Sequence, residues 1–173
     1  DGGAIFTNNK EWAEKMKSLR LHGQTKRYYH QYIGTGGRMD TIQAAVLNVK
    51  LKYYEKDLKL RQEVAEKYQV ALINNNKIIL PKLTDNVTSA WAQYSVRLKN
   101  REEIQLKLKE AGIPTAVHYP MPLHLQECFK YLGYKEGDFP ISEQISNEIL
   151  SLPMNSYLTF DEQQYIALEL LRF

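Results

Sequence analysis

Cysteine is nearly absent: Cys128 is the only one in 173 residues. A lone thiol excludes an intramolecular disulfide framework and fits a reducing, cytoplasmic compartment. No apolar run approaches the roughly 20 residues that a membrane-spanning helix needs. No segment carries the pattern of a signal peptide. Charge of one sign is not in excess either, since 23 basic residues face 20 acidic ones for a net charge of +3. Nucleic-acid binders concentrate basic residues on one face. Here Lys and Arg are interleaved with Glu, as on a solvated surface. Several catalytic signatures are missing: Gly-x-Ser-x-Gly, a Walker loop, a complete dinucleotide fingerprint, His-Glu-x-x-His and a glycosidase-type carboxylate pair. His124 and Cys128 stand four apart with no second pair of ligands, so no metal site is expected. There is no initiating Met. A chain that opens on Asp1-Gly2-Gly3 is expected to be a fragment.

What is present is ordinary globular composition, 43% hydrophobic and 25% charged, enough for one core with a small appended piece. Gly3–Thr7 reads as a short buried strand, with Asn8 or Asn9 capping a helix over Lys10–Leu21. His22–Gly37 breaks the pattern with four glycines and three tyrosines, long for a connector. Asp40 to about Ile73 carries an apolar stripe (Ile42, Ala45, Val46, Val49) that predicts one bent helix or two in tandem. Beyond the Asn74–Lys77 turn, the pattern predicts strands at Ile78–Leu80, Ala90–Lys99 and Thr115–Val117. Helices are expected over Arg101–Ala111, Leu123–Leu132 and Pro140–Leu150, with Ser151–Met154 extended. A last helix is capped by Thr159 with Glu162 completing a capping box. Strands and helices in that order make the class α+β.

Two stretches carry chemistry. Gly34-Thr35-Gly36-Gly37 precedes Arg38 and a helix opened by Asp40. Glycine backbone, a fixed cation and a helix N-terminus suit an anionic group such as a phosphate. A glycine turn that only starts a helix, with Arg38 paired to an acid, explains the same residues, and for a glycine loop taken alone it is the favoured reading. The second stretch, Ile113-Pro-Thr-Ala-Val-His118-Tyr119-Pro120, projects an imidazole and a phenol from a strand end. Polar tips satisfied at a half-buried strand terminus would look identical. His22 and His30 read as turn or surface histidines, and Cys128 as an inert thiol. Tyr28, Tyr29 and Tyr32, beside Lys26 and Arg27, suit stacking on a nucleobase or packing on a partner subunit.

Taken together, Asp1-Gly-Gly-Ala-Ile-Phe-Thr7, Leu19-Arg-Leu-His-Gly23, Arg27-Tyr-Tyr-His30, Gly34-Thr-Gly-Gly-Arg-Met-Asp-Thr-Ile-Gln-Ala-Ala45, the His118-Tyr119-Pro120 stretch and Leu152-Pro-Met154 resemble the pyridoxal-phosphate-dependent sugar aminotransferases of the DegT/DnrJ/EryC1/StrS family. These motifs are weak singly and specific jointly, and they run nearly end to end. The resemblance implies the C-terminal part of a fold-type-I aminotransferase. Residues 1–47 would be the tail of the large cofactor-binding domain, 48–77 a linking helix and 78–173 a small α+β domain. It implies pyridoxal 5'-phosphate as cofactor, glutamate as amino donor and a nucleotide-linked keto sugar as acceptor, of the UDP-N-acetyl-hexosamine type, for surface polysaccharide or glycan biosynthesis. It also implies a homodimer with shared active sites.

Residue by residue, the resemblance assigns Gly36, Gly37 and Arg38 to the cofactor, and Arg38, His118 and Tyr119 to the substrate. The family's usual Gly-x-Asn-x-Arg is Gly34-Thr-Gly36-Gly-Arg38 here, so a backbone N–H of Gly36 or Gly37 would take the asparagine's place on the phosphate. The family's catalytic lysine falls before Asp1, so this chain alone is expected to be inactive. Three other readings stay open: a sugar dehydratase of the same family, in which histidine replaces that lysine, a non-catalytic α+β dimerisation or binding module, and a basic helical nucleic-acid binder.

Overall fold

The computed structural model describes residues 2–173; the family-like Asp1 lies outside them. The chain divides into two compact units, one ending at Tyr53 and one spanning Tyr54–Phe173.

The first unit holds helix α1 (Lys10–Leu19), a small antiparallel hairpin of β1 (Gln24–Lys26) and β2 (Tyr29–His30), and helix α2 (Thr41–Leu51). The Asn9 side chain caps α1 by accepting the Trp12 N–H at 3.1 Å. The expected strand at Gly3–Thr7 is not formed: the segment has no regular structure and is exposed throughout, Phe6 at 92%. A strand needs a neighbour to receive its backbone groups, and no described strand pairs with this one. The hairpin inside the His22–Gly37 segment was not expected. Strands of three and two residues are too short to show alternation. Helix α2 buries none of its residues, and Ile42, Val46 and Val49 of its apolar stripe are exposed.

The second unit begins with α3 (Tyr54–Leu72), so the long periodic segment is two helices in tandem, interrupted at Lys52–Tyr53. A three-stranded antiparallel sheet follows in the order β3 (Ile78–Ile79), β4 (Tyr94–Leu98), β5 (Ile149–Leu152). Register pairs Tyr94 with Leu152, Ser95 with Ser151, Val96 with Leu150 and Arg97 with Ile149. Side chains alternate across a strand. Tyr94, Val96, Leu98, Leu150 and Leu152 therefore share the core face, all buried, with Tyr68 and Leu72 of α3, Leu108 of α4 (Arg101–Glu110) and Ile166 and Leu170 of α6 (Phe160–Leu170). Ser95, Ser151 and Arg97 take the opposite face. There Arg97 grips Glu148 at the end of α5 (Pro140–Glu148) through Nε at 3.0 Å and Nη2 at 2.7 Å.

Two expected elements are reduced. The Thr115–Val117 strand is a single bridge between Ala116 and Ser151. The helix at Leu123–Leu132 is a pair of tight 3-10 turns, Leu123–Leu125 and Glu127–Leu132. Pro140 opens α5 at the position where its missing N–H costs nothing. Thr159 and Glu162 form the expected capping box on α6. Among the described residues no helix is long and apolar enough to cross a membrane.

Candidate active site

The glycine stretch is held by backbone bonds to the end of α1. His22 N–H donates to the Thr35 carbonyl at 3.0 Å, and Gly37 N–H to the Arg20 carbonyl at 2.9 Å. These bonds bracket a bridge between Leu21 and Gly36. Gly36 thus occupies a non-hydrogen-bonded position, where a residue's own N–H turns away from its partner. No backbone bond uses that N–H among the described residues. Of the two amide donors anticipated from the sequence, Gly36 has its N–H open to an outside acceptor and Gly37 does not.

Glycine at 34 is a packing requirement. A Cβ there would overlap the backbone of Gly23 and the Leu19 carbonyl. At Gly36 a Cβ would stand 3.1 Å from Cε1 and 3.3 Å from Nε2 of His22. The His22 ring occupies the space that a side chain at this position would enter. His30 has a structural partner, its Nδ1 lying 2.8 Å from the His22 carbonyl. Arg38 is exposed and makes no ion pair among the described residues, so the reading in which an acid neutralises it is not seen. Asp40 stands at the N-cap of α2 in extended geometry, but its carboxylate makes no capping bond. The first-turn N–H groups of α2 therefore lack that usual acceptor. The tyrosines beside this loop stack under cations: Arg27 lies 5.0 Å from the Tyr28 ring centre and Lys26 lies 5.3 Å from that of Tyr29.

The second group lies in the Tyr54–Phe173 unit. Ala116 exchanges both backbone bonds with Ser151, at 3.1 and 2.7 Å. Two residues further on, the half-buried His118 places Nδ1 3.0 Å from Ser151 Oγ, and Ser151 Oγ is 2.8 Å from Ser95 Oγ. His118 Nε2 makes no hydrogen bond among the described residues. Tyr119 is 73% exposed, its ring edge-on to the imidazole with centroids 5.7 Å apart. These two rings present a free ring nitrogen and a free phenol at one surface, as their sequence position suggests. Ser151 and Ser95 were not anticipated as site residues. A serine in the apolar run Ile149-Leu-Ser-Leu152 carries no local signal, and its partners lie 33 and 56 residues away.

His124 is a structural residue. Its Nε2 lies 3.0 Å from Glu143, which also accepts the N–H groups of Gly137 and Phe139. The Gly137 N–H foremost, then the Phe139 N–H and His124, holds the Glu143 carboxyl below the ordinary carboxylate range.

A model of the DegT/DnrJ/EryC1/StrS aminotransferase family matches residues 1–171. The chain belongs to this family. It is 43% identical over 91% of its length to the UDP-2-acetamido-2-deoxy-3-oxo-D-glucuronate aminotransferase of Pseudomonas aeruginosa, of which it covers 43%. Among solved structures, a DegT/DnrJ/EryC1/StrS aminotransferase from Brucella abortus superposes with a TM-score of 0.86 at 39% identity, covering 95% of this chain and 44% of that one. NtdA from Bacillus subtilis, solved with bound cofactor PMP, superposes with a TM-score of 0.82 at 27% identity, covering 96% and 40%. The chain thus spans about half the length of the curated relatives it matches. Its fold is α+β, that of part of a fold-type-I aminotransferase.

The family's cofactor carries a phosphate, and the first unit fits that group. The open Gly36 N–H is a donor, and Arg38 is a guanidinium with no ion-pair partner among the described residues. Both attract a negatively charged group.

Proposed function

We propose that this chain is the C-terminal part of a pyridoxal-phosphate-dependent aminotransferase that moves an amino group from glutamate to a nucleotide-linked keto sugar. The acceptor is of the UDP-N-acetyl-hexosamine type, and the product serves surface polysaccharide or glycan biosynthesis in the cytoplasm. Residues 1–47 belong to the large domain, 48–77 link, and 78–173 form the small domain. The observation that carries this reading is the pair of free polar tips, His118 Nε2 and the exposed Tyr119, in a chain whose family match runs over residues 1–171.

Pyridoxal phosphate, when bound, supplies the electron sink for transamination. The roles of this chain are binding and orientation. Gly36 N–H donates to a phosphate oxygen. Arg38 pairs its fixed charge with the phosphate or with the donor's carboxylate, where a planar fork outperforms a point charge. His118 and Tyr119 hydrogen-bond the sugar or its diphosphate and fix the keto carbon in place. Fixing the acceptor in this way lowers the entropic part of the barrier. In a homodimer these groups serve the neighbouring subunit's site. The lysine that tethers the cofactor and moves the proton lies before Asp1, so the 173-residue chain alone is inactive.

The test is product mass. The full-length protein carrying this chain is incubated with glutamate and UDP-2-acetamido-2-deoxy-3-oxo-D-glucuronate. The reading predicts an amino sugar nucleotide and 2-oxoglutarate in equal amounts. A product that has lost water and gained no nitrogen contradicts it in favour of dehydration.

A further inference from the structure

We propose that Ser151 and Ser95 are positioning residues for His118: two hydroxyls in series that hold its imidazole with the proton on Nε2, so that the ring donates a hydrogen bond to an acceptor oxygen of the sugar nucleotide. The inference rests on the reading of His118 as a substrate residue.

The arrangement follows from the sheet. Ser151 spends both its backbone N–H and its carbonyl on Ala116. Those groups therefore point away from β4, and Ser151 faces Ser95 as a non-hydrogen-bonded antiparallel pair. Such pairs have the shorter Cα separation and the closer side chains. This is why two short hydroxyl side chains meet at 2.8 Å. Ala116 sits across Ser151 on its other side. Residues two apart on an extended segment share a face, so His118 arrives next to the same hydroxyl, with Nδ1 at 3.0 Å. Ser151 is only 5% exposed, so its hydroxyl is matched by protein partners and not by bulk water.

Proton accounting favours one direction. Each hydroxyl has one proton to give, and a neutral imidazole has one donor and one acceptor nitrogen. If Ser95 donates to Ser151 and Ser151 donates to Nδ1, every hydroxyl proton in the series has an acceptor. Nδ1 is then the acceptor nitrogen, and the ring proton is on Nε2. If the series ran the other way, the Ser95 proton would have no protein acceptor among the described residues and, at this half-buried position, would be left to solvent. A ring with its proton on Nε2 recognises an acceptor, so the ligand atom it meets is a phosphate, carboxylate or carbonyl oxygen and not a hydroxyl acting as donor.

The experiment uses the full-length protein with cofactor, labelled with [15N]histidine. Two-bond proton–nitrogen correlation reads the tautomer of His118, assigned by its disappearance in His118→Gln. The parent and Ser151→Thr should show the Nε2–H form. Ser151→Ala should show mixed tautomers and a KM for the sugar nucleotide raised on the order of tenfold, the loss of about one hydrogen bond, with the glutamate KM and kcat close to the parent's. An Nδ1–H form in the parent overturns the proposal. So does a Ser151→Ala variant with the parent's tautomer while His118→Gln raises the sugar KM, which sinks the relay and leaves the substrate reading standing. An unchanged sugar KM in His118→Gln sinks the substrate reading, and the proposal with it.

Discussion

Replacing Tyr68 by Phe tests how the strand that carries Ser151 is anchored. Tyr68 lies on α3 and is fully buried, its ring 5.0 Å from that of Tyr94. Its hydroxyl donates to the Pro153 carbonyl at 2.9 Å, just past the end of β5. No other hydrogen bond reaches that carbonyl among the described residues. The Tyr68→Phe variant keeps the ring packing and removes only the hydroxyl. The loss is one net hydrogen bond to a part-buried carbonyl, about 1–2 kcal/mol. That corresponds to a fall in Tm of roughly 2–8 °C. Urea unfolding should show a lower midpoint with an unchanged slope. The pH dependence gives a second check. Burial foremost, with Tyr94 adding to it, raises the Tyr68 phenol well above its ordinary value of 10.0. Folding therefore favours the neutral phenol. That contribution is complete below pH 10 and is lost as pH rises past it, because the unfolded chain ionises first. The parent's advantage over Tyr68→Phe should thus shrink above pH 10. A variant as stable as the parent at pH 7 refutes the anchoring role of the hydroxyl. A constant difference between the two across pH 9–11 refutes the burial argument.

Further outcomes follow from other sites. Gly34→Ala should open the loop to protease between residues 22 and 37, since its Cβ would meet backbone, whereas Gly36→Ala should not, because the exposed His22 ring can shift by a few tenths of an ångström. Arg38→Ala should weaken cofactor binding on the order of tenfold or more, read as cofactor release on dialysis, with Arg38→Lys intermediate because it keeps the charge and loses the fork. The depressed Glu143 carboxyl stabilises the 137–139 turn above the ordinary carboxylate range and loses that contribution as pH falls through it. Protection factors at Gly137 and Phe139, which take out the intrinsic slowing of exchange in acid, should therefore fall as pH drops, and Glu143→Gln should abolish that dependence. Thr159→Ala should cost about 1 kcal/mol in thermal unfolding by removing half of the capping box on α6.

The elements that were legible in the sequence are those whose cause is local. Thr159 and Glu162 stand at capping-box spacing, Pro140 marks a helix start, and Tyr94, Val96 and Leu98 alternate as half-buried strand residues must. The interruption at Lys52–Tyr53 was legible as excess length. Elements decided by partners were not. Gly3–Thr7 has the composition of a strand and no described neighbour to pair with. Thr115–Val117 pairs at one residue only. Gly36, Arg38, His118 and Tyr119 were named as candidates from their motifs, two in each unit. The motifs did not show that Gly37 gives its N–H to Arg20, or that Ser95 and Ser151 stand behind His118. Those facts arise from register between segments distant in sequence.

The most direct test of the account is binding of the keto sugar nucleotide to the full-length protein with its cofactor in the amino form, measured by the change in cofactor absorbance, in the parent and in His118→Gln. The account predicts saturable conversion in the parent and a weaker apparent affinity in His118→Gln, by on the order of tenfold for one lost hydrogen bond, with the final absorbance change unaltered. No absorbance change in the parent, or equal affinity in both proteins, contradicts it.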